Sequence, residues 1–360
     1  MRLYKQIRDL VGFFRRTERS VQAHSREPVD HIVLLDGTMS TLEKGDETNV
    51  GLIYKLLDEA SKHQRISMIY EAGNQWSDWS KTMDIIEGRG INRMIQRMYG
   101  WLASRYRPGD RIFLIGFSRG AYAVRSLAGV IGQVGLLTRE YATERMVREA
   151  YRNYREGTAP ETCSAFRSAY CYDETPIEMI GVFDTVKSLG FRAPFVVRWA
   201  EVKHAFHNHE LGPHVKRGFQ ALALDETREA FAPVIWTSPP GHEGHVEQVW
   251  FHGSHGDIGG QLTGKCDARP LSNIPLVWMI ERLERCGLSL PEDWRSRFPM
   301  DADAPSVGTW RGWGKYFLAR KRRIVGADPS EQIHPIAFGR SRRAPLPAEP
   351  QSDVGDPVTS

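Results

Sequence analysis

The chain alternates between apolar runs short enough for strands and longer stretches with an apolar stripe at helical spacing. The first run, His31-Ile32-Val33-Leu34-Leu35, ends in the turn Asp36-Gly37-Thr38. Thr48 then stands before Val50, Ile53, Tyr54 and Leu57, whose spacing predicts a helix with Thr48 as its cap. Residues 66–70 read as a second strand, 75–86 as a Trp-bearing insertion and 90–106 as a helix. Pro108-Gly109-Asp110 turns the chain into a buried strand over 112–115, and a helix follows at once over 121–131. A second helical stretch covers 139–155, and 161–175 is less regular. Residues 177–186 form another buried strand that ends at Asp184. The aromatic, irregular stretch 191–214 suits a lid or pocket wall, and 219–231 reads as helical. Residues 246–251 form a strand, and 271–286 a helix. Strands that alternate with helices predict an α/β protein with a mostly parallel sheet and helices on both faces.

The ends differ from this body. Residues 1–20 predict a basic amphipathic helix with Leu3, Ile7, Leu10, Val11 and Phe14 on one face. It either docks on the domain or lies on a membrane surface. A polar linker completes residues 1–28, the catalytic body spans 29–340, and the Pro-, Ser- and Asp-rich tail 341–360 is expected to be disordered. Before that tail, Trp310, Trp313, Tyr316 and Phe317 precede Arg320-Lys321-Arg322-Arg323. This is either a packed helix with a solvated basic end or an interfacial patch for anionic lipid.

Composition narrows the function classes. A net charge of +4 over 360 residues gives no bulk-charge argument for nucleic acid. The four cysteines, Cys163, Cys171, Cys266 and Cys286, form no C-x-x-C pair, which argues against a zinc knuckle or a disulfide scaffold. No apolar run reaches the ~18 residues of a spanning helix. The N-terminus lacks a secretory core, so the chain is expected in the cytoplasm where it is made.

The chemistry centres on Gly116-Phe117-Ser118-Arg119-Gly120, a G-x-S-x-G between a predicted strand and a predicted helix. A serine on such a sharp turn stands clear of the sheet edge, and Gly116 and Gly120 let strand and helix close around it. A hydroxyl near neutral pH needs a base to take its proton and a third group to orient that base. The order Ser, acid, His at strand ends is offered by Ser118, Asp184 and His255. Asp257 and Asp225 compete with Asp184 as the orienting acid, and His252 competes with His255. His255 lies in the glycine-rich loop Gly253 to Gly260, which can approach substrate closely. The oxyanion hole is expected from the N–H of Arg119 and that of Gly37 or Thr38, with Asp36 shaping the turn. This chemistry requires no cofactor and no metal. Two other classes are compatible with the same residues: a phosphoesterase in which Asp36, Asp184, His255 and Asp257 ligate a divalent metal, and a non-catalytic binding module.

Seven blocks occur in order: Leu35-Asp36-Gly37-Thr38 with Thr48-Asn49-Val50, Gly116 to Tyr122, Gly181 to Val186, Ala223-Leu224-Asp225-Glu226, Val249-Trp250-Phe251, His255 to Gly260, and Trp278-Met279. Together they resemble the catalytic domain of Tle-type type VI secretion phospholipase effectors, over residues 29–340. The resemblance implies an α/β-hydrolase fold and a Ser-Asp-His triad on Ser118, Asp184 and His255. It also implies hydrolysis of acyl esters in lipids, most directly glycerophospholipids. Export through the secretion apparatus and recognition by an immunity protein are implied in the same way. Met39-Ser40, Gly256 and Gln261 depart from the family's pattern beside the site. The family's toxins often carry large extra membrane-anchoring regions that these 360 residues do not show, and a stand-alone relative acting on another ester without a link to secretion is the alternative expectation.

Overall fold

The computed structural model describes residues 26–73, 89–186, 210–238, 246–310, 317–337 and 346–347. The expected N-terminal helix, the 75–86 insertion, most of the 191–214 stretch and nearly all of the tail lie outside the described residues.

The apolar runs are strands: β1 (Asp30–Leu35), β2 (Ile66–Glu71), β3 (Arg111–Phe117), β4 (Met179–Phe183), β5 (Gly218–Ala223), β6 (Val246–Phe251), β7 (Ile324–Val325), β8 (Glu331–Ile333) and β9 (Leu346–Pro347). Seven of them form one sheet in the order β2-β1-β3-β4-β5-β6-β8, and each neighbouring pair is parallel. The two-residue strands β7 and β9 pair separately. A parallel sheet needs cover on both faces. The period of two along a strand supplies a face for each cover. Val33 and Leu35 of β1, with Ile112 and Leu114 of β3, pack beneath α2 (Arg89–Arg105), α3 (Arg119–Val134), α4 (Glu144–Arg155) and α5 (Pro160–Tyr170). Ile32 and Leu34, with Phe113 and Ile115, face α1 (Asn49–Ala60) and, later in the chain, α7 (Arg269–Arg285). The short helix α6 (His255–Gly259) lies beyond the end of β6.

Local sequence sets several boundaries. Thr48 caps α1, its hydroxyl accepting from the Gly51 N–H at 3.0 Å. Asp110 accepts from the backbone N–H of Val29 and Arg107 and pairs with His31 Nε2 at 2.9 Å, which joins the starts of β1 and β3. The 139–155 stretch divides: Arg139–Tyr141 is a 3-10 turn, and Thr143 then caps α4. Residues 161–175 are more regular than their pattern implied. Pro160 opens α5 at its first turn, where its missing N–H costs nothing.

The helix expected over 219–231 is not formed. Gly218–Ala223 is a strand buried at every position, and only Glu229–Phe231 is helical, as a 3-10 turn. Ala221, Leu222, Ala223 and Leu224 have strong helix propensity. Pairing to β4 on one side and β6 on the other overrides it. Gln220 is satisfied inside the sheet layer, accepting from Arg125 and donating to the Val234 carbonyl.

The topology positions the site. From β1 the chain goes to β2 on one side, and the next strand, β3, pairs on the other. The carboxyl ends of β1 and β3 flank this switch point, where ligands of such sheets bind.

Candidate active site

Ser118 follows β3 with φ 57° and ψ −119°, a strained backbone for a residue with a side chain. Its N–H donates to the Phe183 carbonyl at 3.0 Å, which fixes the turn against β4. The flanking glycines are required by close approach rather than by φ. A Cβ on Gly116 would lie 2.7 Å from backbone atoms of Ala121, and one on Gly120 would lie 2.1 Å from the Leu35 carbonyl oxygen.

His255 opens α6. Ser254 and Asp257 cap that helix reciprocally, so the ring is carried on a fixed turn. Phe117 lies 4.7 Å from the imidazole, ring centre to ring centre, and Phe231 meets it edge-on at 4.8 Å. Gly259 makes this packing possible, since a Cβ there would sit 2.0 Å from the Phe117 ring. The buried imidazole spans two partners. Nε2 is 3.0 Å from Ser118 Oγ, and Nδ1 is 2.6 Å from Asp184 Oδ2.

Asp184 ends the β4 segment with φ 40° and is fully buried. The Ala223 N–H donates to Oδ1 at 3.0 Å. Arg323 grips both oxygens, at 2.5 Å and 2.9 Å. Burial alone pushes this carboxyl up. The Arg323 charge and the hydrogen bonds from His255 and Arg323 outweigh it and hold Asp184 far below the usual carboxylate range. Behind His255, Glu226 accepts from its backbone N–H at 3.2 Å and is paired with Arg228.

The early turn is built around Asp36, which is buried and accepts from the Gly37 N–H, Thr48 Oγ1 and Tyr70 OH. Burial nevertheless pushes its carboxyl up to about 6 against these hydrogen bonds. The Gly37 N–H is therefore occupied by its neighbour. The N–H of Thr38 has no partner among the described residues, and that of Arg119 lies in the first turn of α3, where the helix offers no acceptor. The Thr38 carbonyl accepts from Gln261 Nε2 at 2.7 Å, so the departure at Gln261 ties this turn to the α6 loop. The Arg119 guanidinium, partly buried, has no ion pair among the described residues, and burial pulls its pKa down.

The raised Asp36 pKa has a signed consequence. The folded state binds this proton more tightly than the unfolded chain, whose value is 3.8. The resulting stabilisation is complete below about pH 4 and is lost as pH rises through about 6, about 3 kcal/mol in all. Asp36→Asn removes the titration. Its unfolding free energy relative to wild type is expected to rise by about that amount between pH 4 and pH 7 in urea melts. A constant difference across that range would contradict the assignment.

The other sequence candidates lie elsewhere. His252 Nδ1 pairs with Asp225 Oδ2 at 2.7 Å, and Asp225 also accepts from the Gly253 N–H, so this pair braces the loop before His255. Asp257 is fully buried. It caps α6 and accepts from Ser306 Oγ and the Val307 N–H. Among the described residues no three His, Cys, Asp or Glu side chains are grouped to hold a metal ion, so Asp36, Asp184, His255 and Asp257 do not converge. Arg323 was hidden in the basic run expected to end in solvent. The chain there is not helical, Arg323 is buried, and within the run only Lys321 and Arg322 remain exposed. Arg323 carried no local signal, because it acts through contacts distant in sequence, and Glu226 stood in the block Ala223 to Glu226 with no role assigned to it.

The uncharacterized protein YEL023C of Saccharomyces cerevisiae is 27% identical over 255 residues, which is 62% of this chain and 35% of that protein. A Tle1 effector solved bound to the VgrG spike of the type VI secretion system is 20% identical, with a TM-score of 0.40 over 67% of this chain and 53% of that one. An uncharacterized Pseudomonas aeruginosa protein is 15% identical, with a TM-score of 0.45 over 85% of this chain and 54% of that one. The chain thus spans about a third of the yeast relative and about half of each solved chain. The family model for the Tle1-like type VI secretion phospholipase effector catalytic domain matches residues 30–282, and the chain belongs to that family.

Proposed function

We propose that the protein is a serine hydrolase that cleaves the acyl ester bonds of glycerophospholipids. The observation that carries this is the hydrogen-bonded row Asp184, His255, Ser118, set on the ends of parallel strands in one sheet. The neutral imidazole takes the Ser118 proton through Nε2 as Oγ attacks the ester carbonyl. Nδ1–H stays on Asp184, which fixes the tautomer and stabilises the imidazolium. The N–H groups of Arg119 and Thr38 receive the charge on the carbonyl oxygen. Collapse expels the lysolipid alkoxide, which takes the proton back from His255. Water, deprotonated by His255, then attacks the acyl-serine and releases the fatty acid.

Family membership supports a phospholipid as substrate and export through a type VI secretion apparatus as the route to it. The Arg119 guanidinium, one residue past Ser118 and without an ion pair among the described residues, suits a substrate that carries a phosphate. Trp310 and Leu318, 57% and 80% exposed, stand near segments that lead through Phe317 and Phe231 to His255, and suit contact with a lipid surface. Among the described residues no helix is long and apolar enough to cross a membrane.

Product analysis tests the proposal. Mixed phosphatidylglycerol and phosphatidylethanolamine vesicles should yield free fatty acid and lysolipid. Release of the phosphorylated headgroup in place of fatty acid would replace it with a phosphoesterase.

A further inference from the structure

Arg323 lies outside the residues matched by the family model, yet it makes the closest ion pair to the Ser118 row. Its buried guanidinium donates to both oxygens of Asp184, to the Ala223 carbonyl at 2.9 Å and to the Phe231 carbonyl at 2.6 Å. One planar group thereby joins the acid, the end of β5 and the turn that carries Phe231 against the imidazole. Lysine cannot reproduce this, because an ammonium is a point charge without the fork.

The charges around His255 give the second half of the argument. Asp184 and Glu226 are buried carboxylates paired with the buried Arg323 and the partly buried Arg228. Phe117 and Phe231 cover the ring faces without charge. Asp257, on the same helix as His255, is saturated by Ser254, Ser306 and Val307. The Asp225–His252 pair is partly exposed, and the Arg119 cation follows Ser118 in the chain. Each of these two acids is already paired with an arginine while His255 is neutral, and Asp257 is a third buried acid held by neutral donors. Because Arg323 offsets the Asp184 charge, a proton on His255 gains less from that carboxylate than it would from an acid that met only the imidazole and backbone N–H groups.

We infer that Arg323 is a positioning residue for the Ser118–His255 chemistry: it locks the Asp184 carboxyl in its strained place and offsets its charge, so His255 remains a neutral base at lower pH than it would without the guanidinium. The inference rests on the hydrolase reading for its kinetic consequence, though not for the effect on the imidazole.

The test uses the full chain as wild type, Arg323→Lys and Arg323→Gln, with folding followed by circular dichroism. kcat and KM on a soluble p-nitrophenyl ester are measured from pH 4 to 9, and the His255 imidazole is titrated by NMR. Arg323→Gln should move both the acid limb of kcat/KM and the His255 titration upward by about one pH unit. Arg323→Lys keeps the charge and loses the fork, so the limb should stay within a few tenths of a unit while kcat falls at least about fivefold with KM unchanged. A Gln variant with the wild-type limb and titration, or a Lys variant with the wild-type kcat, would overturn the inference. If Arg323→Gln does not fold, the Lys variant decides alone. A shifted His255 titration in a protein without ester activity would sink the hydrolase reading and leave the inference standing. Normal activity with an unshifted titration would do the reverse.

Discussion

Ser118→Ala is expected to lower kcat for ester hydrolysis by at least about 10⁴-fold, close to 5.5 kcal/mol of transition-state stabilisation. Oγ is the atom that attacks, and the side chain's recorded contact is with His255 Nε2. The turn should survive the change. Ser118 already holds φ 57° with a Cβ in place, and its N–H bond to the Phe183 carbonyl is a backbone bond that alanine keeps. Unfolding midpoints of mutant and wild type should therefore agree while activity collapses. The residual rate would come from the N–H groups of Arg119 and Thr38, which still receive the oxyanion. Retention of full activity in the alanine protein would remove Ser118 from the mechanism.

Gly120→Ala is expected to have a large effect on stability. The added Cβ would lie 2.1 Å from the Leu35 carbonyl oxygen, 2.5 Å from its carbon and 2.7 Å from the Asp36 carbonyl oxygen. All three are backbone atoms, and β1 is held between β2 and β3, so the strand cannot give way. The start of α3 must move instead, and Ser118 precedes that helix directly. A cost of at least about 3 kcal/mol is expected in urea unfolding, the range of severe core overpacking. The folded fraction should also lose turnover, because the 3.0 Å contact from Ser118 to His255 shifts with the turn. Gly109→Ala is the control. Its Cβ would meet nothing within 4 Å, so the cost is that of φ +93° for alanine, about 1 kcal/mol, and turnover should not change. Equal stability losses for the two variants would show that close packing at the turn is not what Gly120 supplies.

Most of the architecture was legible because the relevant signals are local. Parallel strands buried on both faces read as short apolar runs, and the residues that end them announce themselves as Asp36, Ser118, Asp184 and the His252–His255 loop. Chain order and strand ends offered those positions with Asp257, Asp225 and His252 still open as rivals, and in the structure His255 lies within hydrogen-bond reach of both Ser118 and Asp184. Two of the three failures are non-local. The run from Gly218 to Leu224 lacks alternation, as any doubly buried strand does, and its Ala and Leu residues favour helix until β4 and β6 claim their backbone groups. Gly37 resembled an oxyanion donor by position, but its N–H folds back onto Asp36, a fact set by the conformation of one turn. Arg323 is separated from Asp184 by 139 positions and sits beside cations that are solvated, so spacing alone could not single it out.

The central claim is that Ser118 is an activated nucleophile, and covalent labelling tests it most directly. The folded protein is treated with a fluorophosphonate, digested and mapped by mass spectrometry. One adduct is predicted, on the peptide that carries Gly116-Phe117-Ser118-Arg119-Gly120, absent when the protein is denatured first and greatly slowed in His255→Ala. Folded protein that hydrolyses ester while Ser118 stays unlabelled, or that loses activity through an adduct elsewhere, would contradict the account.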